Sequence, residues 1–248
     1  MSTSDTPETS PARLTMAWGV HLFTASGAVV GAAALLAIGA GELTRAALLM
    51  MLAFWIDSVD GTLARRVGVA QVLPRIDGRR LDDMVDFLNF AIVPAVFMVW
   101  AGSLPAWGWA ALPILASAYG FSQENAKTED DFFLGWPSYW NVTAIYLWLL
   151  EISPGAGAVW IAVFSAAVFV PIKYVYPSKL PVLRRTTTGL GIAWGLLLIL
   201  TVLFPALAER YFLLEISLAY VAYYLILSFW LGGLRGQLRR ALGTRDDE

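Results

Sequence analysis

Four aspartates with helical spacing lie in two short segments, DSVDGTLAR and GRRLDDMVD. Asp57 and Asp60 are three residues apart, and Asp82 and Asp86 are four residues apart, so each pair projects from one face of an α-helix. Hard divalent cations prefer carboxylate oxygens, and two facing pairs predict a site for two such ions. A two-metal site suits phosphoryl transfer, because it neutralises phosphate charge and aligns the attacking and leaving oxygens.

The sequence around these aspartates is as hydrophobic as a lipid bilayer. Of the 248 residues, 58% are hydrophobic and 15% are charged, and the mean hydropathy is +0.64. This composition excludes an ordinary soluble domain and predicts an all-α polytopic membrane protein. The chain has no cysteine and one histidine, so oxygen ligands must hold any metal. Carboxylates within apolar helices are costly and indicate a functional site.

Hydropathy predicts about eight transmembrane helices. They cover about residues 16–40, 43–65, 81–101, 105–121, 139–150, 156–174, 188–207 and 211–231. We expect a single transmembrane catalytic domain over residues 15–232. The polar residues 1–14 predict a disordered cytoplasmic tail, and residues 233–248 predict a second cytoplasmic tail.

The basic residues predict the orientation of the chain. With eight spans both termini lie on one side, and all but Arg45 and Arg210 of the 17 Lys and Arg fall on that side. Basic residues concentrate in cytoplasmic loops, so that side is the cytoplasm. We therefore expect the aspartates near the cytoplasmic membrane surface, where a water-soluble substrate can reach them.

The two aspartate segments together resemble the signature of the CDP-alcohol phosphatidyltransferase family, D-x-x-D-G-x-x-A-R followed by G-x-x-x-D-x-x-x-D. The fixed positions are Asp57, Asp60, Gly61, Ala64, Arg65, Gly78, Asp82 and Asp86. A match at this many positions is far more specific than a lone glycine motif. The resemblance implies a six-helix core, to which this chain adds two helices, and a homodimer. It also implies that an alcohol displaces CMP from a CDP-linked lipid.

The resemblance implies a role for each motif residue. The four aspartates hold two divalent ions, Mn²⁺ or Mg²⁺, and Asp86 is the general base that takes the proton of the alcohol. Small residues leave room for the nucleotide, and arginine suits phosphate oxygens. The residues expected to bind the donor, CDP-diacylglycerol, are Asp57, Gly61, Ala64, Arg65, Gly78 and Arg79. A catalytic role for His21 is one interpretation, and a packed, hydrogen-bonded histidine is the other.

Longer stretches resemble a bacterial branch of the family whose acceptor is free choline. These stretches are VHLFTASGA, RIDGRRLDDMVDFLNF and ENAKTEDDFFLGWPSYWN. The resemblance implies choline and membrane lipid as partners, and the bacterial inner membrane as the location. A quaternary ammonium is recognised by aromatic faces, with a carboxylate or amide nearby. The candidate choline-binding residues are Tyr119, Glu124, Tyr139, Trp140 and Asn141; an aromatic belt at the membrane interface is the alternative for the rings.

Other functions remain open from the residues alone. The same chemistry with serine, glycerol 3-phosphate or inositol as acceptor would favour a more basic pocket than residues 119–141 offer. A cation transporter would also use intramembrane carboxylates, but its site would lie near the membrane midplane, and the chain shows no inverted repeat. We expect no nucleic-acid partner.

Overall fold

The structure, a computed structural model, describes residues 10–123, 128, 132–177, 179–180 and 183–234. The described residues form eleven α-helices. These are α1 Pro11–Gly39, α2 Leu43–Val67, α3 Val69–Val72, α4 Gly78–Phe87, α5 Val93–Trp100, α6 Ala111–Ser122, α7 Trp140–Leu149, α8 Pro154–Val168, α9 Arg184–Leu203, α10 Pro205–Tyr211 and α11 Leu213–Ser228. π-Helical turns at Leu88–Ile92 and Phe229–Leu234 extend α4 and α11, and a 3₁₀ turn at Trp107–Ala110 precedes α6.

Five helical stretches of the described chain are long and apolar enough to cross a membrane. They are Pro11–Gly39, Leu43–Val67, Gly78–Trp100, Arg184–Leu203 and Leu213–Gly232. This finding confirms an all-α membrane protein. The count of eight stays a prediction, because the fourth, fifth and sixth predicted spans correspond to helices of 12, 10 and 15 residues, and a full crossing takes about 20 residues.

The first helix begins at Pro11, inside the segment predicted as a tail. The Ser10 hydroxyl accepts a hydrogen bond from the Arg13 backbone N–H at 3.4 Å, and Pro11 occupies the first turn. Both features favour a helix start. The first N–H groups of a helix have no partner within the helix, so the Ser10 side chain satisfies one of them and proline removes another. The other predicted tail residues, 1–9 and 235–248, lie outside the described part of the chain.

Helix α1 packs against α2 and against the stretch that begins with α4, and this contact fixes the position of α4. A Cβ atom on Gly27 would lie 2.8 Å from Val85 Cγ1, so the two backbones approach closely. The Asn89 amide donates hydrogen bonds to the carbonyl oxygens of Gly27 at 3.0 Å and Val85 at 3.1 Å. The small residues of α1 therefore allow the close helix packing that membrane proteins use.

A small antiparallel sheet was not predicted from the sequence. Strand β1, Phe132–Leu134, pairs with strand β2, Lys173–Val175. The sixth predicted span, about residues 156–174, is therefore too long: α8 ends at Val168. Pro171 has no backbone N–H, which explains why the helix does not resume before β2.

Candidate active site

Helices α2 and α4 bring three of the four predicted metal ligands together. Asp57, Asp82 and Asp86 each offer one carboxylate oxygen, and the three oxygens lie within 4.8 Å of one another. All three side chains are partly exposed. Two residues from one turn of α4 thus face one residue of α2, as the helical spacing within the second segment predicts.

The fourth aspartate, Asp60, does not belong to this group of three oxygens. It lies one turn after Asp57 on α2 and is only 5% exposed. A displacement of three residues turns a side chain about 60° away from its starting direction. The structure therefore separates Asp60, enclosed at the helix contact, from the partly exposed cluster formed by the other three.

The three-aspartate cluster fits a hard divalent cation. Carboxylate oxygens lie about 2.0–2.1 Å from Mg²⁺, so two ligands on opposite sides are about 4.2 Å apart. The observed limit of 4.8 Å needs only small side-chain rotations to reach that spacing. Like-charged carboxylates this close repel each other, and a bound cation removes that cost. The donor set is all oxygen, which suits Mg²⁺ or Mn²⁺.

His21 of α1 occupies the space beside the motif glycine of α4. A Cβ atom on Gly78 would lie 3.2 Å from His21 Cε1, which is tighter than ordinary contact. Gly78 is the first residue of α4, and the Asp77 carboxylate caps this end by accepting a hydrogen bond from the Arg80 backbone N–H at 3.1 Å. The missing side chain at Gly78 thus makes room for an imidazole.

Two other small motif residues have visible neighbours. A Cβ atom on Gly61 would lie 3.3 Å from Arg65 Nη1, so the Arg65 side chain bends back over Gly61. Its other terminal nitrogen, Nη2, donates to the Thr62 hydroxyl at 3.2 Å. Ala64 packs beside a small apolar cluster that includes Ala17 and the short helix α3. Glycine at 61 therefore leaves space for the exposed guanidinium, and alanine at 64 allows the helix contact.

An open recess lies between the start of α4 and the end of α6. Its volume is about 500 Å³, and its lining residues are Asp77, Arg79, Arg80, Asp83, Phe121, Ser122 and Gln123. Asp83, the residue after Asp82 in the chain, is one of the residues that line this recess. Arg79 is exposed, and its Nε is 3.9 Å from the Asp83 carboxylate. The recess is therefore lined by both carboxylates and guanidinium groups.

The candidate choline-binding residues do not form one cage in the described structure. Tyr119 is exposed and stacks on Phe169, with 4.5 Å between ring centroids. Tyr139 packs against Tyr224 with 5.7 Å between centroids. Trp140 is 0% exposed, so neither face of its ring is open to a ligand. Glu124 lies outside the described residues.

Trp140 and the residue after it have different surroundings. The Trp140 indole N–H donates to the Ser117 hydroxyl at 2.7 Å, which satisfies its one polar atom within the core. Asn141 is 2% exposed, and its side-chain oxygen has no hydrogen-bond partner among the described residues. It lines a cavity of about 20 Å³ whose aromatic walls are Phe54, Trp55 and Trp194.

These three aromatic residues were not identified from the sequence as neighbours of Asn141. Phe54 and Trp55 stand within one helical turn before Asp57 on α2, and Trp194 comes from α9, far along the chain. The nearness of Trp55 to Asp57 was a usable signal, since aromatic rings attract quaternary ammonium groups. The approach of Trp194 depends on tertiary packing, which spacing along the chain does not reveal.

Comparison with known proteins defines the class. A sequence model of the CDP-alcohol phosphatidyltransferase family matches residues 15–172, from α1 to the residues just before β2. The chain belongs to this family, and it is therefore an enzyme of phosphatidyl transfer.

Similar bacterial proteins narrow the class. The chain is 41% identical over 230 residues to a phosphatidylcholine synthase of Legionella pneumophila, an alignment that covers 86% of this chain and 88% of that protein. It is 40% identical over 214 residues to a phosphatidylcholine synthase of Legionella bozemanae, covering 82% and 98%. It is 30% identical over 231 residues to a phosphatidylcholine synthase of Pseudomonas aeruginosa, covering 89% and 94%.

Proposed function

We propose that this enzyme transfers the phosphatidyl group of CDP-diacylglycerol to choline, giving phosphatidylcholine and CMP. The observation that carries the proposal is the cluster of Asp57, Asp82 and Asp86 carboxylates within 4.8 Å of one another. The shared name of three relatives that align with most of the chain supports choline as the acceptor. Serine, glycerol 3-phosphate and inositol are the alternative acceptors.

The reaction exchanges one phosphorus–oxygen bond for another. The choline hydroxyl oxygen attacks the lipid-side phosphorus of the diphosphate, and the bond from that phosphorus to the bridging oxygen breaks. The hydroxyl proton goes to a protein base, and the bridging oxygen leaves with CMP. The chemical difficulty is the negative charge that surrounds the phosphorus, since it repels the attacking oxygen.

The aspartates hold the divalent ions in this proposal. Asp57, Asp82 and Asp86 would provide the oxygens of one centre, and Asp60, which is buried one turn further along α2, would add its carboxylate for the second ion. When bound, Mn²⁺ or Mg²⁺ offsets the negative charge of the diphosphate and aligns its oxygens. The partial exposure of the three clustered carboxylates leaves an open side for substrate.

Asp86 is the proposed general base. A carboxylate has two oxygens, so one can face the ion while the other accepts the proton of the attacking hydroxyl. Its position four residues after Asp82 keeps both side chains on one face of α4. Asp57, Asp82 and Asp86 are the acids that the structure gathers within 4.8 Å in its described part, and the base is sought among them.

Arginines and small residues would hold the donor. Arg65 and Arg79 are exposed on α2 and α4, the helices that carry the acidic cluster, and a guanidinium forms paired hydrogen bonds with phosphate oxygens. Gly61 and Gly78 lack side chains on the same helices, and the neighbours beside them are the movable side chains of Arg65 and His21; Ala64 keeps the helix contact close. We place this face, and both termini, on the cytoplasmic side of a bacterial inner membrane, in a homodimer.

The acceptor would enter from the aromatic side of the site. Tyr119 and Tyr139 offer ring area, and Asn141 offers a buried oxygen without a hydrogen-bond partner among the described residues. Trp140 would act from the core, through its hydrogen bond to Ser117. Glu124 would supply the carboxylate that a quaternary ammonium attracts.

An acceptor panel tests the proposal. The purified protein is given CDP-diacylglycerol and Mn²⁺, with choline, serine, glycerol 3-phosphate or inositol added separately, and CMP release is followed. Release that depends on choline is the expected result. Release with another alcohol would keep the aspartate chemistry and reject the acceptor. If folded protein releases no CMP with any alcohol, phosphatidyl transfer by this site is wrong and the transporter alternative gains support.

A further inference from the structure

His21 lies inside the membrane domain, beside the acidic face of α4. The side chain is 7% exposed, and its ring meets Trp18 edge to face, with 6.4 Å between centroids. A Cβ atom on Gly78 would lie 3.2 Å from His21 Cε1 and 3.9 Å from Nδ1, so this edge of the ring faces Gly78 and Nε2 lies on the other side of Cε1. Gly78, Asp82 and Asp86 share one face of α4 because they are four residues apart. The imidazole therefore lies about one turn, or about 6 Å along the axis, before Asp82.

The Nε2 atom of His21 has no hydrogen-bond partner among the described residues. Nε2 is enclosed, yet it forms no hydrogen bond with any residue in the described part of the chain. Buried polar atoms are nearly always paired, so an enclosed nitrogen without a partner in the protein indicates a ligand or a water molecule. A histidine kept only for packing would cost stability at this place, and an apolar side chain would fill the space without that cost.

The charges around Gly78 decide which part of a substrate suits this nitrogen. Gly78 begins α4, where the helix dipole is positive. Arg79 and Arg80 follow directly, and the exposed Arg65 lies near the end of α2. Arg79 and Arg80 lie 3.9 Å from the Asp83 and Asp77 carboxylates, and such exposed ion pairs are weak, so both guanidiniums can turn toward an anion. Together with the helix end they favour an anion over a quaternary ammonium. The end of α4 that His21 touches therefore suits phosphate oxygens better than choline.

We propose that His21 is a binding residue for the CDP-linked donor, with Nε2–H donating a hydrogen bond to one of its phosphate oxygens. Gly78 makes this possible, because any side chain there would push the imidazole away. A hydrogen bond from a neutral donor to a charged oxygen is stronger than one between neutral groups. The inference rests on the donor part of the proposed function and is independent of the acceptor.

Two substitutions separate this role from packing. In His21→Gln the amide nitrogen can reach the place of Nε2, whereas in His21→Asn it reaches only the place of Nδ1. The dissociation constant of CMP is measured by calorimetry with Mn²⁺ and no choline, and the KM for CDP-diacylglycerol is measured in turnover. Loss of one hydrogen bond to a charged group predicts that His21→Asn weakens both about ten- to a hundredfold. His21→Gln should stay within about threefold of the wild type.

A matched control comes from another buried polar atom. The Ser165 hydroxyl of α8 is likewise buried and without a partner among the described residues. Ser165→Ala should therefore leave CMP binding and the KM for the donor unchanged. The KM for choline should change little in all three variants, because the proposed contact is made with the donor alone.

Three results would overturn the inference. His21→Asn that binds CMP as the wild type does would mean that Nε2 holds a water molecule only. Equal losses in His21→Asn and His21→Gln, together with a lower melting temperature, would mean that the ring acts by packing. Wild-type protein that binds no CMP at all would reject the donor, and with it the proposed function, whereas the first two results would leave that function standing.

Discussion

The contact between α1 and α4 can be tested by one added methyl group. Gly27→Ala places a Cβ atom 2.8 Å from Val85 Cγ1 and 3.5 Å from the Asn89 amide nitrogen. Val85 is β-branched and buried, so it cannot rotate away easily. Because Val85 precedes Asp86, the strain reaches the aspartate cluster directly. Gly19→Ala on the same helix is the control, since an added Cβ there meets nothing within 4 Å.

Opposing free-energy terms set the size of the effect. Alanine is favoured over glycine inside a helix by about 1 kcal/mol. Overpacking a buried contact costs about 1–3 kcal/mol. Gly19→Ala gains the first term alone, so its stability should stay the same or rise. Gly27→Ala carries the overpacking cost in addition, and we expect it to be about 1–3 kcal/mol less stable than Gly19→Ala.

The assay combines a melting temperature in detergent with the rate of CMP release. Gly27→Ala should melt at a lower temperature than Gly19→Ala and turn over more slowly, while Gly19→Ala should melt at or above the wild-type temperature and turn over at the wild-type rate. Val85→Ala removes the group that clashes, so the double variant Gly27→Ala/Val85→Ala should recover part of the loss. A Gly27→Ala protein as stable and active as the Gly19→Ala protein would refute the close contact on which the position of α4 depends.

Three further predictions concern individual side chains. Asp86→Asn should abolish CMP release without lowering the melting temperature, because the amide cannot accept the hydroxyl proton; full turnover would reject the base. Arg65→Ala should raise the KM for the donor several-fold more than Arg66→Ala, and equal effects would reject the phosphate contact. Trp140→Phe, which removes the hydrogen bond to Ser117, should cost about 1–3 kcal/mol of stability in thermal unfolding and leave the KM for the donor unchanged.

The parts of the site that follow from local geometry were visible in the sequence. The spacing of Asp82 and Asp86 predicts that both face one way on a helix, and the structure gathers both with Asp57. Helical period is a property of the backbone, so spacing along the chain is enough to predict it. The apolar runs likewise predict helices that are long enough to cross a membrane.

The positions set by tertiary packing were not visible. Asp60 follows Asp57 by three residues, a spacing that predicts one shared helix face. The packing of α2 nevertheless buries Asp60 and leaves it outside the cluster. The contact between His21 and Gly78 joins two residues that are 57 positions apart. No local sequence pattern predicts such a contact, although His21 was considered for catalysis and Gly78 was identified as a motif position.

The aromatic segment shows the same limit. Residues 119–141 were grouped because they are close in sequence and rich in rings. In the fold Trp140 is buried in the core, whereas Tyr119 is exposed and stacks on Phe169, the residue after α8. Burial depends on which neighbours cover a ring, and the neighbours of Tyr139 and Trp140 include residues of α6, β1 and α11.

The most direct measurement uses deuterium-labelled choline and mass spectrometry of the lipid product. Wild-type protein and Asp57→Asn are each incubated with CDP-diacylglycerol, Mn²⁺ and labelled choline. The wild type should form labelled phosphatidylcholine in an amount equal to the CMP released. Asp57→Asn, which alters the α2 side of the cluster, should form little or none while remaining folded. Labelled lipid made equally well by Asp57→Asn, or none made by the wild type, would contradict phosphatidyl transfer to choline by the three-aspartate cluster.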